Sequence, residues 1–138
     1  MDKLSPSILD LSRRLLAASK IASDQHVSAA VAVNEMWRES LIRFAGIEGF
    51  ASLLRRAVAL ARDEVPSLQG IRVARDGRLE GFDSSAHDAS GDEAAVVITA
   101  HLVSLLVSFI GEPLTMRLVL EAWPGTSLGN ENFRNREQ

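Results

Sequence analysis

Apolar residues recur at helical spacing in four stretches of this chain and fill nearly every position of a fifth. In the first stretch Ile8, Leu11, Leu15 and Ala18 lie three or four residues apart, with Leu4 and Ala22 extending the row. Ser5-Pro6-Ser7 supplies a cap and a proline tolerated in a first turn, so a helix is expected over about 6–22. Ser23-Asp24-Gln25 breaks the pattern, and a second helix is expected over about 26–45 on the row Val27, Ala30, Val31, Trp37, Leu41 and Phe44. Gly46 and Gly49 suit a tight turn between helices. A third helix follows over about 48–64, burying Phe50, Leu53, Leu54, Ala57, Val58 and Ala61, and Pro66 ends it.

The pattern then changes period. Asp76-Gly77 stands between two short stretches of β character, which predicts a hairpin over 71–82 closed by a two-residue type I′ turn. That register sets Ile71 against Phe82 and Arg75 against Arg78. Residues 83–92 are small, polar and acidic, and are expected to form a mobile loop.

From Ala94 to Ile110 there is no charged residue, and the polar members are Thr99, His101, Ser104 and Ser108. A helix apolar on all sides is a membrane span or the central helix of a bundle. Seventeen residues are at the short limit for spanning, and the stretch has no Trp, Tyr or basic anchors at its ends, so the central helix is expected. Gly111-Glu112-Pro113 makes a turn, and Leu114, Arg117, Leu118 and Glu121 mark a last helix that stops at Pro124-Gly125. The expected fold is mainly α, a compact bundle of about five helices with one short hairpin. It forms a single domain over 1–125, without an internal repeat, followed by a poorly ordered tail over 126–138.

Composition narrows the function. Cysteine is absent, which excludes disulfides, thiolate nucleophiles and cysteine metal sites. Tyrosine is absent too, so stacking platforms for single-stranded nucleic acid are not expected. The net charge is −3 with no basic run, which gives DNA phosphates little to hold. No signal-peptide or lipidation pattern stands at the N-terminus, which makes the cytoplasm the expected compartment.

No catalytic motif of the phosphate-binding, serine-hydrolase or zinc-protease kind occurs. His26, His87 and His101 have no second ligand at i+3 or i+4, so neither a metal nor another cofactor is expected. Asn34 is either a polar group that sets register at a helix interface or a residue at the edge of the buried stripe. Arg55, Arg62 and the hairpin arginines form either an anion-binding face or an ordinary solvated one. His101 is read first as a core histidine hydrogen-bonded to a neighbouring helix; in Ala100-His101-Leu102 it also resembles the acceptor of histidine phosphotransfer domains, which implies phosphoryl transfer through it. Val103 and Ser104 stand where that family keeps a basic and a small residue.

The leading expectation is a small non-catalytic module for protein–protein interaction in bacterial regulation or signalling, with the chain itself as one partner in a homodimer. Met116, Leu120 and Trp123 on the last helix are its candidate surface, since that helix is more apolar than one stripe requires, with plain burial as the other reading; Trp37 and Trp123 are most simply packing residues of the core or its rim. The alternative is a small-molecule sensor whose pocket lies beside His101 and is lined by Thr99 and Ser104. Neither nucleic acid nor a membrane is an expected partner.

Overall fold

The computed structural model describes residues 6–22, 29–81 and 89–123. Its elements are α1 (Pro6–Ala22), α2 (Ala29–Glu64), a 3-10 turn (Pro66–Gly70), β1 (Arg72–Val73), β2 (Leu79–Glu80), α3 (Ala89–Ile110) and α4 (Glu112–Ala122). The fold is a helical bundle with a small antiparallel hairpin. The expected disordered tail, most of the mobile loop and Phe82 lie outside the described residues.

The second and third expected helices are two arms of α2, joined at Gly46 (φ 83°, ψ 164°). That backbone region is essentially restricted to glycine. The two arms fold back on each other. Trp37 of the first and Leu54 of the second line the same internal space, yet a straight helix would hold them roughly 25 Å apart. Gly111, between α3 and α4, has nearly the same conformation (φ 90°, ψ 158°). The same glycine corner therefore turns the chain twice, each time two residues after a phenylalanine, Phe44 and Phe109.

Helix α3 is the axis of the bundle and packs on α1, α2 and α4. Every residue from Ala94 to Val103 is buried. Its Glu93–Ile110 stretch is long and apolar enough to cross a membrane, with mean hydropathy 2.0, but 61% of it is buried by the other helices. This is the signature of a core helix. The helix starts at Ala89, earlier than the apolar run alone suggested.

Helix α4 closes the far side. Trp123 meets Trp37 edge-on, with ring centroids 5.1 Å apart and planes at 74°, and its Nε1 donates to Ser19 Oγ at 3.0 Å. The C-terminal end of α4 is thereby fastened to α1.

The hairpin differs in register from the expectation. Arg72 pairs with Glu80 and Val73 with Leu79, a shift of one residue. A type I′ turn needs positive φ at both Asp76 and Gly77, and among the described residues only glycines take it. The chain instead makes a turn from Ala74 to Gly77, whose N–H donates to Ala74 O at 3.0 Å. Gly77 (φ 86°) follows as a bulge before Arg78 O accepts from Ala74 N at 2.8 Å. Arg75 and Arg78 no longer face each other, and Arg72 meets Glu80 at 3.4 Å.

Candidate interaction site

The hairpin tip is seated on both arms of α2. Asn34 is buried on the first arm, and its Nδ2 donates to Gly77 O at 2.9 Å. Gly77 lies against the Phe50 ring on the second arm, so closely that a Cβ there would sit 2.6 Å from the ring. Around this seat Arg38 Nε donates to Asp76 O at 2.8 Å, and Arg78 reaches both Asp76 and Glu35. The Arg78 backbone N–H, bonded to Asp76 Oδ1 at 3.1 Å, is the chief cause that holds the Asp76 carboxyl below its ordinary 3.8. The Arg78 and Arg38 guanidiniums add to it. Asn34 thus anchors an interface in the core.

The arginines do not converge on one face. Arg62 is turned to the carbonyls of Leu68 and Ile71 and holds the 3-10 turn against α2. Arg72 and Arg78 are paired with Glu80 and with Asp76 and Glu35, while Arg55 and Arg56 remain exposed.

His101 is 4% exposed, and its Nε2 lies 2.8 Å from Glu64 Oε2 at the end of α2. An imidazole that accepts phosphate must meet its donor at the surface, so this placement offers no support for phosphoryl transfer. Thr99 is buried beside an internal space of about 10 Å³, the size of one water, which His101 does not line. Ligand sites are typically about 300 Å³ or more, so that space is no sensor pocket. Ser104 is half-buried one turn farther along α3. Among the described residues no three His, Cys, Asp or Glu side chains gather as metal ligands do.

The last helix presents less surface than expected. Met116 and Trp123 are buried, at 8% and 3%, and Leu120 is exposed at 37%. The buried residues of this helix are Thr115, Met116, Leu118 and Val119, with Trp123 just after them, and Leu114 is half-buried. Thr115 can turn inward because its hydroxyl donates to Gly111 O at 2.8 Å, and the Trp123 bond to Ser19 fixes the same rotation.

The exposed apolar surface lies at the two glycine corners. Phe44, expected in the buried row, is 46% exposed, Phe109 65% and Ile47 45%. The α2 stripe that carries Trp37 and Leu41 inward runs past the edge of the core at the corner, and Phe44 emerges there. Between the corners is an open groove of about 450 Å³. Its walls are Phe44 and Leu53 from α2 and Leu106, Phe109 and Ile110 from α3. Ala45, Gly49 and Ser52 form a floor of small residues, and Arg56 is the single charged lining group.

No known family, curated protein or solved structure matches this chain. The groove is therefore interpreted from its own chemistry. It presents aromatic edges, aliphatic walls and one guanidinium, with no nucleophile–base pair and no acidic cluster among its lining residues. Such a surface can exclude water from an apolar partner. The repeated Phe-x-Gly, at Phe44–Gly46 and Phe109–Gly111, was the sequence signal for it.

Proposed function

We propose that this chain is a small non-catalytic protein–protein interaction module that docks a partner in the groove between its two glycine corners. The observation that carries the reading is an apolar groove of about 450 Å³ flanked by the exposed rings of Phe44 and Phe109. The largest exposed apolar patch on a small protein is often functional, and one rimmed by polar residues marks an interaction site. Aromatic side chains held on rigid helix ends are the residue type that dominates interface energetics.

Site-specific photocrosslinking tests it. A benzophenone amino acid at Ser52, on the groove floor, is expected to give a discrete ultraviolet-dependent protein adduct in cells. The same group at Glu80, on the exposed hairpin edge, is the control. Equal yields at Ser52 and Glu80 would remove the groove as the docking surface.

A further inference from the structure

We infer that the occupant of the groove is the groove of a second copy of this chain, in a twofold pair whose axis passes beside Ser52. The inference rests on reading this face as a docking surface. An isologous contact requires one patch to be complementary to itself, with knob and hole side by side. Phe109 stands 65% exposed on the wall of the groove it would fill in a partner. A phenylalanine presents on the order of 200 Å², so Phe44 and Phe109 leave roughly 200 Å² of ring surface open on each copy. The small floor residues Gly49 and Ser52 let a second helix approach closely.

Charge selects the second copy over another partner. Glu48 and Arg56 are both exposed, and neither forms an ion pair among the described residues. They lie four residues before and four residues after Ser52 on the same arm of α2. An axis beside Ser52 runs the two arms antiparallel, which brings Glu48 to the partner's Arg56 and Arg56 to the partner's Glu48. A partner of uniformly acidic or basic character would satisfy one of these groups and repel the other.

The test uses sedimentation equilibrium of the full chain with charge reversals at these two exposed positions, where folding is not at stake. Glu48→Arg alone and Arg56→Glu alone each turn two attractions into two repulsions, and each is expected to weaken the dimer about tenfold. An equimolar mixture of the two variants restores both attractions, so a heterodimer as tight as the native pair is expected. A native dimer that ignores both reversals would place the contact elsewhere and overturn the inference. A native chain still monomeric near 1 mM would also overturn it. In that case 8-anilinonaphthalene-1-sulfonate separates the two readings. Dye bound by the folded monomer and lost in Phe109→Ser keeps the docking surface with a different occupant, and no dye bound removes both.

Discussion

Replacing Gly46 by alanine tests the architecture through the sign of its effect. In the middle of a continuous helix, Gly→Ala stabilises by about 1 kcal/mol, because alanine loses less backbone entropy. At φ 83° and ψ 164° the same alanine is forced into a region that side chains avoid, at a cost of about 1–3 kcal/mol. Beyond its chain neighbours and the adjoining helix backbone, no atom lies within 4 Å of where the new Cβ would sit, so no clash with a packed neighbour adds to that figure. Urea unfolding followed by far-ultraviolet circular dichroism reads the change as a lower midpoint at unchanged slope. For a chain of this length about 2 kcal/mol corresponds to a fall of roughly 5–10 °C in Tm. Gly111→Ala, at the second corner, should behave alike. A Gly46→Ala protein as stable as the native chain, or more so, would refute the folded-back arrangement of α2.

Gly77→Ala should cost more than Gly46→Ala, by at least about 1 kcal/mol, because its Cβ would also press into the Phe50 ring at 2.6 Å; equal losses in the same urea experiment would contradict the close seating of the tip. Asn34→Ala removes the donor to a buried carbonyl and should destabilise by about 1–3 kcal/mol, while a loss under 0.5 kcal/mol (about the size of a surface change) would show that water satisfies Gly77 O. The Asp76 carboxyl is depressed in the folded state, so its stabilisation is fully present above 3.8 and is lost as pH falls from there through the lower folded value. Asp76→Asn should therefore reduce stability at pH 7 and flatten the acid limb below pH 4, and a parallel offset at every pH would rule out that linkage. Trp123→Phe keeps a ring against Trp37 but loses the bond to Ser19, and a drop of about 1–2 kcal/mol is expected by thermal unfolding.

Much of the fold was legible because burial imposes a period on sequence. The rows Leu11–Leu15 and Phe50–Leu54–Ala57–Val58–Ala61 are buried as their spacing implies. The charge-free run ending at Ile110 is the axis of the bundle. Spacing failed where the chain turns or a polar group is satisfied locally. Phe44 continues its stripe arithmetically, but the corner at Gly46 carries it out of the core. Thr115 counts as polar in any periodicity, yet its bond to Gly111 O lets it face inward and rotates Met116 and Trp123 with it. Asp76-Gly77 announced a hairpin correctly, but a dipeptide cannot say which of its residues takes positive φ, and that choice shifts the register by one. Asn34 and Gly77 are 43 residues apart, so no local pattern could pair them.

The bond between Trp123 and Ser19 joins residues 104 apart, and it has a consequence for how the protein is made. At about 5–20 residues per second, a ribosome needs on the order of 5–20 s to deliver Trp123 after Ser19 has been added. Through that interval α1 exists without its last tie, and Leu11, Leu15 and Leu16 have no α3 to cover them until most of the chain has emerged. Helix α1 therefore waits as an apolar strip on the nascent chain, and slowing translation between residues 22 and 89 would lengthen its exposure to chaperones and proteases.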